Sequence, residues 1–186
     1  MPQNVSSKLP EMSHAKALAI GGVCVAMAFV LNQISLFRMP QGGSVTPASM
    51  LFVALAAYWL GPSKGILVGV SVGLLNTVTG AWFVHPVQYL LDYPLAFGAL
   101  GLAGFFRHSK WGLQIGYIVG VLGRFTSVYL AGVIFWGQYA PEGQSPWLHS
   151  AIYNISYIGI ELTASLLIIS IPPVTAAINR LSKQLA

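Results

Sequence analysis

The chain has 186 residues, of which 55% are hydrophobic and only 7% charged, with a formal net charge of +5; its mean hydropathy is +0.71. So few charges cannot clothe a soluble globule of this length, and the composition describes an integral membrane protein. Its single cysteine, Cys24, excludes an internal disulfide and a cysteine metal cluster. The four histidines are scattered without metal spacing, and no lysine or arginine cluster suggests nucleic acid.

Six apolar segments follow in chain order, at about 15–36, 47–61, 64–81, 86–106, 112–136 and 148–171. None shows the period-two alternation of a barrel strand, so an all-α fold of six transmembrane helices is expected. At ~1.5 Å per residue the second and third are short for a ~30 Å hydrocarbon core and call for cover from their neighbours. The domain reading is a cytoplasmic tail over 1–14 with no signal-peptide cleavage pattern, a transmembrane domain over 15–175 and a cytoplasmic tail over 176–186. Lys8, Lys16, Lys64, Arg107, Lys110, Arg180 and Lys183 fall on one side of that arrangement. Positive charge marks the cytoplasmic face, so both termini are expected inside.

The first segment carries Ala15, Ala19, Gly22 and Ala26 along one helical face. A stripe of small side chains lets another helix approach closely, either within the molecule or from a partner subunit. In the third segment, Gly69-Val70-Ser71-Val72-Gly73 matches the nucleophile-elbow pattern. It lacks the strand-turn-helix setting that exposes such a serine and is set aside, and with it a membrane-enzyme reading.

The fourth segment opens on His85-Pro86-Val87-Gln88-Tyr89-Leu90-Leu91-Asp92-Tyr93-Pro94. In a helix starting at Pro86, His85, Gln88, Tyr89, Asp92 and Tyr93 share one face. An intramembrane carboxylate is costly and normally faces a cavity, so this stripe points to a pocket for a small polar solute, cationic and aromatic in character. Arg124 and Glu161 fall near mid-depth on adjacent antiparallel segments, where an ion pair between them is expected. Trp136 ends the fifth segment, while His149, Tyr153, Asn154 and Tyr157 open the sixth, and the loop from Trp82 to His85 reaches the same outer mouth. Indole and phenol rings can sandwich a flat cation, and an amide offers both donor and acceptor to an aminopyrimidine edge.

Several separated motifs in order resemble one family. They are Met39-Pro40-Gln41-Gly42-Gly43-Ser44-Val45, His85-Pro86-Val87-Gln88 running into Leu91-Asp92-Tyr93, the Arg124-Phe125 pair, and Gln138-Tyr139-Ala140-Pro141-Glu142-Gly143 before Tyr153-Asn154. Together they are similar to the thiamine-specific S components of energy-coupling factor (ECF) transporters, across all six segments. The resemblance implies a membrane subunit that binds thiamine with high affinity from outside a bacterial cytoplasmic membrane. It implies as partners a membrane scaffold subunit and two ATPases.

Carried over by position, Asp92 matches an acidic residue facing the thiazolium, shorter than the glutamate of some members. Tyr93, Trp136 and Asn154 match ring contacts, and the loop around Gln41 to Val45 would close over the pocket. Ala15 and Ala19 match the scaffold-docking stripe, from which Val23 departs. Two further positions depart: Val128 stands where members usually have histidine, and His149 where they have tyrosine. The expected ligand is therefore thiamine, or a precursor or analogue of it.

The functional expectation is a binding subunit, not an enzyme, with candidate substrate contacts at Asp92, Tyr93, Trp136, Asn154, His149, Gln88, Tyr89, His85 and Trp82. Candidate docking positions are Ala15, Ala19, Gly22 and Ala26. No metal or cofactor is expected, and since the chain lacks a G-x-x-x-x-G-K-[ST] loop, ATP would be used by partner subunits. The alternative is a stand-alone proton-coupled carrier for a small cationic aromatic solute, with Asp92, Arg124 and Glu161 relaying the proton.

Overall fold

A computed structural model describes residues 12–40, 42–80 and 83–185. Helix α1 spans His14–Gln33, and a two-strand hairpin follows, β1 at Phe37–Arg38 and β2 at Ser44–Val45. Then come α2 at Ser49–Leu60 and α3 at Pro62–Val78. Helix α4 runs over Pro86–Phe106, α5 over Gly112–Phe135, α6 over Pro146–Ser170 and α7 over Pro172–Leu185. Four of these, α1, α4, α5 and α6, are long and apolar enough to cross a membrane, and the molecule is a helical multi-pass membrane protein.

Local chemistry sets the ends. Ser13 caps α1 by accepting from the Lys16 amide at 3.3 Å, and Ser145 caps α6 by accepting from the Leu148 amide at 3.3 Å. Prolines open α3, α4 and α6 at positions where a missing N–H costs nothing. Helix α2, at 12 residues, is only ~18 Å long. Its short reach is matched by burial, since Met50, Leu51, Val53, Ala54, Leu55, Ala56 and Ala57 are all inside the core.

The interior is assembled on α4, which packs against α2, α3 and α5. Glycines make those contacts close. A methyl placed on Gly69 would lie 2.1 Å from the Phe97 carbonyl oxygen, and one on Gly73 would lie 2.6 Å from that of Tyr93. The apparent nucleophile elbow is thus a seam in which the backbones of α3 and α4 touch. Gly116 and Gly120 do the same for α5 against α4, at 2.5 and 2.8 Å from the Ala103 and Leu100 carbonyl oxygens.

Helix α1 packs through Ala17, Gly21, Cys24 and Ala28, which are buried, while Ala15, Ala19, Gly22 and Ala26 on another face are exposed. Internal packing of the stripe, one of its two expected roles, is therefore not what is observed.

Residues 176–185, read from sequence as part of a tail, are helical. Helix α7 is amphipathic, with Arg180 and Lys183 exposed, and it is tied to the bundle at three points. The Tyr58 hydroxyl donates to Asn179 Oδ1 at 3.1 Å, Trp59 Nε1 donates to the Ile178 carbonyl at 3.3 Å, and Lys16 Nζ donates to the Gln184 carbonyl at 2.8 Å. With α7 so placed, the helix order puts Lys16, Lys64, Arg107, Lys110, Arg180 and Lys183 toward one end of the molecule. The β1–β2 hairpin and the first turns of α4 and α6 stand at the other.

Candidate functional site

A cavity of about 150 Å³ opens at the hairpin end, and its wall draws on every helix from α1 to α6. Six of the nine candidate substrate contacts line it: Gln88, Asp92, Tyr93, Trp136, His149 and Asn154. The backbone of α4 is irregular where it supplies two of them, Asp92 and Tyr93. Pro86–Leu90 is α-helical, Leu91–Leu95 is a π turn containing Pro94, and the helix ends in a 3₁₀ stretch over Leu100–Phe106. Proline has no N–H to give, and the widened turn absorbs the break. Ser127 Oγ of α5 donates to the Leu91 carbonyl at 2.6 Å, satisfying an acceptor within the disturbed stretch.

Asp92 sits in that turn. Its Oδ2 accepts from Gln88 Nε2 at 3.0 Å, and Gln88 Oε1 in turn accepts from the Val84 amide at 2.8 Å. Gln88 is fully buried, so its amide fixes both the carboxylate and the entry to α4. Across the cavity, Asn154 Nδ2 donates to the Ser150 carbonyl at 2.9 Å while its Oδ1 accepts from the Tyr157 hydroxyl at 2.8 Å. Gly132 makes room for this polar group, since a methyl there would lie 2.2 Å from Ser150 Oγ.

His85 and Tyr89, expected on the same face as Asp92, stand outside the cavity wall. His85 is the N-cap of α4, its Nδ1 accepting from the Val87 amide at 3.1 Å and its ring stacked on Phe135 at 5.3 Å. Tyr89 hydrogen-bonds the Thr77 hydroxyl at 2.6 Å and stacks on Tyr93 at 5.5 Å, on the side of α4 that meets α3. Uniform α periodicity put five side chains on one face, and the cap and the π turn divide them. Trp82 and Gln41 lie outside the described residues.

Arg124 and Glu161 both line the cavity, but among the described residues no ion pair joins them, and the expected pairing is not seen. Glu161 reaches instead to the start of α2. Its Oε2 accepts from the Thr46 amide at 3.2 Å and the Thr46 hydroxyl at 2.6 Å, and its Oε1 accepts from the Met50 amide at 2.9 Å and Ser49 Oγ at 3.3 Å. Helix α2 begins after Ala48, a non-glycine residue at φ 64°, and has no cap of its own. The orphan N–H groups and positive pole of that end make a ready anion site, and a carboxylate from α6 fills it. Arg124 places its guanidinium 4.0 Å from the centroid of the Phe97 ring, while its buried Nε and Nη1 have no hydrogen-bond partner.

Sequence reasoning missed Asn32, Ser49 and Asn76 in this wall. Asn32 Nδ2 donates to Asn76 Oδ1 at 2.9 Å, and Asn76 Nδ2 is buried without a partner. The signal was present, because amides inside apolar segments are costly unless something holds them.

The hairpin forms the roof. Gly42, Gly43, Ser44 and Thr46 line the cavity, and the Gly43 amide donates to the Tyr153 hydroxyl at 2.9 Å. A methyl on Gly43 would lie 2.8 Å from the Tyr157 ring, so only glycine lets the loop lie this close to α6. Tyr153 and Tyr157 meet edge to face at 5.8 Å beneath it.

A helical membrane protein with a roofed cavity lined by carboxylates, amides and aromatic rings defines the class of small-solute transport proteins. Residues 18–180 match the family described as thiamine transporter protein (Thia_YuaJ), and the chain belongs to that family. It is similar to the thiamine transporter ThiT of Bacillus subtilis (strain 168), 34% identical over 152 residues that cover 73% of this chain and 79% of that protein. It is also similar to the thiamine transporter ThiT of Lacticaseibacillus paracasei, 32% identical over 151 residues that cover 73% of each. The fold is shared with the structure of ThiT from Listeria monocytogenes, at a TM-score of 0.69 and 24% identity over 84% of this chain and 94% of that one. The family is one of transporters, not of enzymes.

Proposed function

We propose that this chain is the thiamine-binding subunit of an ECF-type importer, a six-span protein of the bacterial cytoplasmic membrane with both termini inside. In this reading it captures thiamine, or a close precursor or analogue, from outside with high affinity, and a scaffold subunit and two ATPases drive release. The observation that carries the reading is the charge of the cavity. Two carboxylates, Asp92 and Glu161, and one guanidinium, Arg124, line it. The acidic groups outnumber the basic one, a balance that suits a cationic ligand. Glu161 is committed to α2, so Asp92 is the carboxylate that faces a thiazolium.

The remaining parts suit the rest of such a ligand. Tyr93 and Trp136 supply ring faces, and Asn154, Arg124 and Asn76 supply polar groups at the edges. Aminopyrimidine ring nitrogens are acceptors, and the unpartnered N–H groups of Arg124 and Asn76 are donors. Val128 is buried against the same cavity and His149 stands nearer its mouth, beside Tyr153. The exposed stripe of Ala15, Ala19, Gly22 and Ala26 is the proposed seat of the scaffold subunit. A proton-relay carrier draws no support from Glu161, whose oxygens are held by four donors at α2.

The test is a titration of the detergent-purified chain with thiamine, read by heat and by tryptophan fluorescence. Saturable binding at micromolar affinity or better is about −8 kcal/mol. No saturable signal with thiamine, its phosphates or its pyrimidine precursor would overturn the vitamin reading. Uptake into liposomes by the chain alone on a pH gradient would overturn the dependence on partners.

A further inference from the structure

Asn76, near the C-terminal end of α3, is only 5% exposed and lines the cavity. The two polar atoms of its amide are used differently. Its Oδ1 accepts twice from the end of α1, from Asn32 Nδ2 at 2.9 Å and from Gln33 Nε2 at 3.4 Å, which occupies both lone pairs of a carbonyl oxygen. Among the described residues, nothing accepts from its Nδ2.

The direction of this amide is set from behind. Gln33 is exposed and stands outside the cavity wall, and its Nε2 also donates to the Phe29 carbonyl at 3.4 Å. A backbone carbonyl can only accept, so it fixes which end of the Gln33 amide is the nitrogen, and a nitrogen turned to Asn76 calls for an oxygen there. Half a turn of the Asn76 amide would set its Nδ2 against two donors. The backbone is held as well, because Thr79 Oγ1 donates to the Asn76 carbonyl at 3.2 Å and Gly73 lies against the Tyr93 backbone. With its oxygen committed to α1, Asn76 can offer the cavity a donor and not an acceptor.

We propose that Asn76 is a specificity-determining residue that selects a pyrimidine ring, its Nδ2 donating to a ring nitrogen of the ligand, and that Asn32 and Gln33 are positioning residues that keep the amide from turning. The inference rests on the thiamine reading above and adds to it the property of the ring that is recognised. A ring nitrogen with its lone pair satisfies the donor. A C–H in the same place leaves a buried N–H without an acceptor, and a site built to hydrogen-bond its ligand rejects such an isostere far more sharply than an apolar pocket does.

Titration of the detergent-purified chain with thiamine and with its benzenoid analogue, in which both pyrimidine nitrogens are replaced by C–H, tests this. Both ligands carry the thiazolium, so the contact to Asp92 cancels in the ratio of their affinities. The parent should bind thiamine at least about tenfold tighter than the analogue, and Asn76→Leu should reduce that ratio at least about fivefold by weakening thiamine alone. The double variant Asn32→Leu with Gln33→Leu, which frees the amide to turn, should reduce the ratio in the same direction. A substitution that only loosened the fold would weaken both ligands alike and leave the ratio where it was. If Asn76→Leu does not elute as a single folded species, Asn76→Asp decides by the same ratio, since it keeps an oxygen for Asn32 and Gln33 and puts a second one in place of the nitrogen. Equal affinities in the parent, or an unchanged ratio in the folded Asn76 variant, overturns the inference while thiamine binding stands. Absence of thiamine binding by the parent overturns the vitamin reading and the inference with it.

Discussion

The seam between α3, α4 and α5 and the cavity at the hairpin end use opposite means of holding helices together inside a membrane. In the seam the contacts are backbone to backbone, set by Gly69, Gly73, Gly116 and Gly120, and their geometry is regular α-helix on the α3 and α5 sides. In the cavity the contacts are polar side chains, and the backbone departs from regularity at the π turn of α4 and at Ala48. Lipid tails are as apolar as leucine, so helix association depends on close packing and hydrogen bonds rather than on water expulsion. The close-packed seam supplies the rigidity against which strained or unpartnered groups, each costing of order 1–3 kcal/mol, can persist at the site.

The comparison breaks most severely at the seam. Gly69→Leu would drive a side chain into the Phe97 carbonyl and part α3 from α4. We expect about 3 kcal/mol of destabilisation or more, read as lost monodisperse protein or a lowered unfolding midpoint in detergent. Gly22→Leu, on an open face, should leave the midpoint of the isolated chain nearly unchanged.

Glu161→Ala comes next. It strips four donors of their acceptor, in a place where water cannot substitute freely, and should cost about 3 kcal/mol. The cost should fall first on α2, so hydrogen exchange at the Met50 amide should accelerate before exchange in α5 does. An unchanged Met50 amide would mean that the carboxylate does not cap the helix.

Smaller effects belong to the roof and to the residues beside the cavity. Tyr153→Phe removes the hydroxyl that accepts from the Gly43 amide, with an expected loss of about 1 kcal/mol of thiamine affinity, mostly as faster dissociation in stopped-flow measurements. Tyr89→Phe removes only the contact to Thr77 and should leave thiamine affinity unchanged within about 0.5 kcal/mol. An effect of Tyr89→Phe as large as that of Tyr153→Phe would return Tyr89 to the cavity wall.

The contrast between the two regions also explains what could be read in the sequence. Long apolar runs gave the helices to within a few residues, because hydropathy and length are properties of the segments themselves. Asp92, Asn154 and Trp136 were legible for the same reason, as costly or bulky groups inside such runs. What stayed hidden depended on partners distant in sequence. The carboxylate of Glu161 finds donors 111 to 115 residues away, at an α2 terminus whose need for a cap is invisible in the chain. A uniform 3.6-residue period puts His85 and Tyr89 on the cavity face, and the cap at His85 and the π turn at Leu91–Leu95 interrupt that period. The amphipathic α7 does not show in hydropathy, because its apolar residues recur at helical spacing instead of forming a continuous run.

The central claim is that the cavity binds a cation through Asp92, and paired titrations of the parent and Asp92→Asn test it most directly. Thiamine and its neutral pyrimidine fragment would each be titrated into both proteins. The account predicts that Asp92→Asn weakens thiamine by about 1.5–3 kcal/mol, the scale of a charge-assisted contact, and weakens the pyrimidine fragment much less. Equal loss for the two ligands, or no loss for thiamine, would contradict it.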